Sequence, residues 1–169
     1  MDASLQFQKD FHKICSNCGD RIAITYIKKN ETLEEFSYTR MEKKVLERAK
    51  TYESRGIRRG DRIAVLIPIC PDAYLTILTL AYMGVTSVIL DCNLHKEELG
   101  RLLEDADVSG IITTYFLYQT KMASVSVAAF SEFPCFRIYR CYGSSSSRRY
   151  AGNDGGVVCN TACEWISDL

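Results

Sequence analysis

Residues 55–91, RGIRRGDRIAVLIPICPDAYLTILTLAYMGVTSVILD, read as a Gly turn, a buried strand, a Pro-flanked turn, a buried helix, a Gly stop and a second buried strand. Ile63 to Ile67 is apolar without alternation. That pattern belongs to a strand covered on both faces, and so to a parallel sheet with helices on each side. Pro68 and Pro71 cannot donate to a ladder and end the strand, while Pro71-Asp72 suits the first positions of a helix. The helix through Met83 is apolar nearly all round, which predicts burial between layers, and Gly84 stops it. Val88 to Leu90 is the next predicted buried strand, reached by a right-handed crossover. The unit is βαβ, and its flanks read as further layers of one mostly parallel sheet.

Upstream, Asp2 or Ser4 can cap a first helix with Leu5, Phe7, Phe11 and Ile14 on its apolar side and Gly19 as its stop. Arg21 to Ile27 is rich in β-branched residues and predicts a strand, Lys28 to Thr32 a polar turn, and Leu33 to Tyr38 the return strand of a hairpin. Thr39-Arg40-Met41-Glu42 fits a capping box that opens an amphipathic helix. Met41, Val45, Ala49 and Tyr52 recur at helical spacing, with Leu46 beside them, and the charged remainder is a solvated face. The helix should stop near Arg55-Gly56.

Downstream, a helix is predicted near Lys96 to Asp105, with Leu99, Leu102, Leu103 and Ala106 inward and Glu97 and Glu98 in the first turn, where the helix dipole favours them. Val108 to Thr113 reads as a strand, Tyr115 to Ala129 is ambiguous, and Cys135 to Tyr139 reads as a short strand. Residues 143–156 form a Ser/Gly-rich loop, and Val157 to Cys159 can make one more strand. The expected organisation is an α/β region over 1–142, a loop over 143–156 and a following segment over 157–169. There is no internal repeat.

Composition narrows the function classes. The chain is 169 residues long, 47% hydrophobic and 25% charged, with 21 basic and 21 acidic residues. A zero net charge without a basic stripe argues against a nucleic-acid partner, and Arg58-Arg59 and Arg148-Arg149 read as solvated turn residues. No stretch approaches the ~18 apolar residues of a membrane helix. The polar N-terminus lacks the apolar core of a signal peptide, so a cytoplasmic location is the default expectation. Of the eight cysteines, Cys15 and Cys18 form one CxxC. Zinc would need a second pair, Cys159/Cys163 or Cys135/Cys141, but the spacings form no recognised pair of knuckles. Reduced thiols are the plainer reading, with Cys70 and Cys92 as small buried residues.

Few residues carry chemistry. Neither GxxxxGK[ST] nor GxGxxG occurs. Gly143-Ser-Ser-Ser-Ser-Arg-Arg has one glycine, no lysine and no strand-turn-helix frame, so it reads as a flexible loop. His12 and His95, the only histidines, have no nucleophile signature beside them and read as surface or capping residues. Tyr115, Phe116 and Tyr118 could stack on a ligand, but packing is the more frequent use of such a group. Glu34-Glu35, Glu97-Glu98 and Asp105/Asp107 read as solvated carboxylates.

Residues 36–114 resemble the N-terminal part of the adenylate-forming superfamily: acyl-CoA synthetases, nonribosomal peptide adenylation domains and luciferases. The matching positions are Ser37-Tyr38-Thr39, Gly56 to Ala64, Pro68 to Asp72, Gly84-Val85, Asp91 to Leu94, Lys96 to Leu99 and Ile111 to Thr114, with residues 6–27 as lead-in. The order is kept over about two-thirds of the chain. Ile69 replaces the family's asparagine, and Ile89-Leu90-Asp91-Cys92-Asn93 lacks its prolines.

The resemblance implies part of the large N-terminal α/β domain, a layered sheet with helices on both faces. It implies a parent activity of ATP-dependent carboxylate activation to an acyl-adenylate, then thioester formation. ATP and magnesium are expected for the complete enzyme. Its partners would be the remainder of the ligase or an acyl or peptidyl carrier protein. The family's phosphate loop and catalytic lysine lie beyond the matched positions, so no catalytic, cofactor-binding or metal residue carries over, and the region alone is expected to be inactive. The alternative is a stand-alone α/β interaction module. A weaker option is a Rossmann-like small-ligand binder.

Overall fold

The computed structural model describes residues 3–28, 31–114 and 137–141. In chain order these form α1 (Ala3–Cys18), β1 (Ile22–Lys28), β2 (Glu31–Ser37), α2 (Tyr38–Ser54), β3 (Arg62–Leu66), α3 (Pro71–Met83), β4 (Thr86–Ile89), α4 (Lys96–Asp105), β5 (Gly110–Thr114) and β6 (Arg137–Cys141). The fold is α/β, and β4, β3, β5 and β6 lie side by side in that order in one sheet. The expected readings over Tyr115–Ala129, 143–156 and Val157–Cys159 fall outside the described residues, as do Cys135, Cys159 and Cys163. The described residues divide into two compact units.

The first unit runs to Asp61 and includes Ile69–Ser87. Its β1 and β2 form the predicted antiparallel hairpin, with register shifts between Ile22 and Ile24 and between Tyr26 and Ile27. Phe11 and Cys15 of α1, Phe36 of β2, Met41 and Val45 of α2, and Leu75 of α3 make a single buried cluster. The inward face of α2 is the one its spacing predicts: Met41, Val45, Ala49 and Tyr52. On α1, by contrast, Leu5 and Ile14 are exposed, and the inward positions are Phe11 and Cys15 with Phe7 half-buried.

The capping box at Thr39 is not formed. Ser37 is the N-cap of α2, its Oγ accepting the Arg40 N–H at 3.2 Å. The N–H groups of Tyr38 and Thr39 donate to the carbonyls of Arg21 and Gly19 at 3.0 Å each, so the loop after α1 already satisfies the donors that open the helix. Gly60 and Asp61 do set the turn before β3, with Asp61 Oδ2 accepting the Arg58 N–H at 2.6 Å. Gly84 ends α3 in the left-handed region at φ 73°. A Cβ there would stand 2.9 Å from Ser4 Cβ, so glycine is required on both counts.

Burial of α3 is one-sided rather than complete. Ala73, Leu75, Thr76, Thr79, Leu80 and Met83 are buried, but Tyr74 is 50% exposed. Its inward threonines are satisfied: Thr79 Oγ1 donates to the Leu75 carbonyl at 2.6 Å, and Thr76 Oγ1 accepts from Arg48 Nη1 at 3.2 Å.

The second unit comprises Arg62–Pro68 and the described residues from Val88 on. β3, β5 and β6 are parallel, with Val65 opposite Ile112 and Ile112 opposite Tyr139. Ile63, Ala64, Val65 and Leu66 are all buried, so both faces of β3 are covered, as the unalternating run predicts. Leu99 and Leu103 of α4 pack with Ala64, Leu66, Leu90, Val108 and Ile111. Leu102, expected inward, is exposed. The predicted strand Val88 to Leu90 is corrected to Thr86–Ile89, and Ile89 is 65% exposed because β4 lies at the sheet edge. Cys70 and Cys92 are half-buried rather than buried.

Candidate functional site

A cavity of about 470 Å³ opens in the first unit. The α1 side chains Phe7, Asp10, Phe11, Ile14 and Cys15 form one wall, Tyr74, Ile77 and Leu78 of α3 another, and Ala23, Ile24, Tyr38 and Met41 complete it. The α1 wall follows from helical geometry, since positions 7, 10, 11 and 14 share a face. Phe7 and Phe11 stack with ring centroids 5.8 Å apart, and Phe11 meets Tyr82 edge-on at 6.2 Å. Asp10 is the one charged side chain of the lining. Its Oδ2 accepts from Gln6 Nε2 at 2.9 Å, and it makes no ion pair among the described residues.

Cys15 of the α1 wall is held as a neutral thiol. Burial first, then the charges of Glu42 and Cys18, push its pKa from 9.0 up to about 11. That is the reverse of what a nucleophilic or metal-binding cysteine needs. Among the described residues no three His, Cys, Asp or Glu side chains are placed to hold a metal ion.

The sequence-predicted candidates are scattered. His12 is 74% exposed and joins α1 to α2 through Nδ1···Oε1 of Glu42 at 2.7 Å. His95 is the N-cap of α4 without a side-chain cap bond. Glu34 is not simply solvated: it accepts from Arg40 Nη2 at 3.0 Å, while the Arg40 guanidinium lies 4.1 Å over the Phe36 ring. Arg48 reaches Thr76 Oγ1 and an Asp72 carboxylate oxygen, and Thr76 lies 3.4 Å from the Tyr52 hydroxyl, so this half-buried cluster fastens α2 to α3. At the C-terminal end of β5 the Thr113 hydroxyl is buried and has no hydrogen-bond partner among the described residues. The cavity was not legible as a site in the sequence, although an aspartate on an otherwise apolar helix stripe was the available signal.

The matched residues in related proteins decide the family. The model of the AMP-binding enzyme family matches residues 11–145. The chain belongs to the AMP-binding enzyme family. It is 29% identical over 100 residues to the crotonobetaine/carnitine–CoA ligase of Salmonella paratyphi A, covering 59% of this chain and 19% of that protein. It thus spans about a fifth of the length of the curated relatives it matches. The long-chain-fatty-acid–CoA ligase FadD1 of Archaeoglobus fulgidus superposes with a TM-score of 0.66 at 18% identity, over 78% of this chain and 27% of that one. The NpsA N-terminal subdomain of Klebsiella oxytoca, in complex with anthranilyl-AMSN, gives a TM-score of 0.60 at 20% identity, over 68% and 28%. These structures share the fold of an N-terminal subdomain of adenylate-forming enzymes, an α/β arrangement around a parallel sheet. Among the described residues no helix is long and apolar enough to cross a membrane.

Proposed function

We propose that residues 1–142 serve as the N-terminal scaffold of an AMP-forming acid–thiol ligase and do not catalyse by themselves. The observation that carries this reading is the family match over residues 11–145. Its described residues lie on the strands, helices and turns of the two units. In the complete ligase, ATP and magnesium would activate a carboxylate as its adenylate, and a thiol of coenzyme A or of a carrier protein would take the acyl group. That chemistry needs preorganised donors around the phosphates and a metal to neutralise developing charge, and this region's part is to hold the sheet on which such groups are mounted. ATP–pyrophosphate exchange by the purified 169-residue chain, across a panel of aliphatic and aryl acids, should stay at the no-enzyme rate. Acid-dependent exchange would overturn the reading.

A second reading, a stand-alone module that associates with the remainder of such an enzyme, is favoured by the half-exposed Ile14 and Tyr74 on the walls of the cavity. Light scattering on the purified chain, alone and mixed with the part of a related ligase that follows the matched region, distinguishes the two. A mixed complex supports association, and a persistent monomer excludes it.

A further inference from the structure

We propose that the cavity of the first unit binds a small organic cation with an apolar body, of the quaternary ammonium type. The proposal rests on the lining alone and is independent of the ligase reading.

Three features of the walls converge on that chemistry. Phe7, Phe11, Tyr38 and Tyr74 bring four aromatic rings to one cavity, and aromatic π-faces attract cations, most of all weakly hydrated ones. Asp10 is the lining's single formal charge, and its partner among the described residues is the neutral Gln6 amide. Lys9 and Lys13 flank it on α1, yet neither pairs with it. Cys15 stays protonated and adds no charge of its own. The sign of the site is therefore set by one carboxylate beside aromatic and aliphatic surface.

The remaining ligand classes fit worse. A neutral apolar molecule would gain nothing from the exposed Asp10 carboxylate. An anion would meet like charge. A cation with an apolar body answers both the carboxylate and the rings. The volume of about 470 Å³ falls in the range of small-molecule sites.

The test is a titration of the 15N-labelled chain, followed by amide chemical shifts. The probes are benzyltrimethylammonium, its neutral isostere neopentylbenzene, and benzylsulfonate. Saturable shifts are expected at Asp10, Ile14, Ile24 and Tyr74 with the cation, at about tenfold higher affinity than the neutral isostere, and none with the sulfonate. Asp10→Asn should remove most of the cation's advantage, and Tyr74→Ala should weaken cation binding several-fold. Both positions are exposed, and the unshifted remainder of each variant's spectrum reports that the fold is kept. No saturable cation binding, equal affinity for cation and isostere, shifts away from the cavity, or indifference to Asp10→Asn would each overturn the proposal.

Discussion

The two units hold themselves together by different means. In the first, long polar side chains tie helix to helix: Gln8 Nε2 donates to the Tyr82 carbonyl at 2.8 Å, His12 meets Glu42, and Arg48 meets Asp72. In the second, α4 is fixed on the sheet by aliphatic contact, and its polar links are mostly to the backbone, such as Arg62 Nε to the Ala106 carbonyl at 2.7 Å. A parallel sheet covered on both faces has no room for charged cross-links, so apolar packing must carry its stability. A hairpin and three helices leave gaps between rods, where polar ties and an open cavity can coexist. The cavity lies in the unit held together by polar ties between helices.

That contrast can be broken by mutation. The largest effect is expected in the aliphatic core: Leu103→Ala, at a fully buried position, should cost about 3 kcal/mol in urea unfolding. In the polar unit, Asp72→Ala leaves the Arg48 guanidinium without its carboxylate and should cost about 2 kcal/mol, discounted from a fully buried pair because both side chains keep some exposure. Arg48→Met combined with Asp72→Ala should recover part of that loss, and simple additivity of the two would show that the pair is not coupled. Ser37→Ala should cost about 1 kcal/mol and Thr39→Ala nearly nothing, and the reverse order would restore the capping box read from the sequence. The smallest effect is expected at Thr113, whose hydroxyl is buried without a partner among the described residues. Thr113→Val should be neutral or slightly stabilising in the same assay, whereas a clear loss would reveal a hydrogen bond there.

Cys15 adds a pH dependence to the first unit. Its folded pKa is raised, so the folded state holds the proton longer than the unfolded chain does. The resulting stability is complete below pH 9.0 and is lost as pH rises toward about 11. Cys15→Ser should flatten that part of the unfolding profile, and an unchanged slope would count against the burial of the thiol.

The legible parts of the fold were those decided by local pattern. The inward stripe of α2, the limits of α4 at Lys96 and Asp105, and the two-sided burial of β3 follow from spacing and apolar runs. The missed features depend on distant chain. Ser37 displaced Thr39 as the cap because the carbonyls of Gly19 and Arg21 already hold the next two N–H groups. Ile89 is exposed because strand order, which no local window contains, puts β4 at the edge. The cavity joins Asp10 to Tyr74 across 64 positions of sequence, and only the aspartate on the α1 stripe hinted at it.

The proposed scaffold role means that residues 3–28 and 31–114 support the reaction centre of an AMP-binding enzyme without forming it. An amide-by-amide titration of the 15N-labelled chain with magnesium and ATP tests it most directly. No saturable shifts are expected at residues 3–28 or 31–114. Saturable shifts gathered at the C-terminal ends of β3 and β5, around Pro68 and Thr113-Thr114, would contradict it and place nucleotide chemistry within this region.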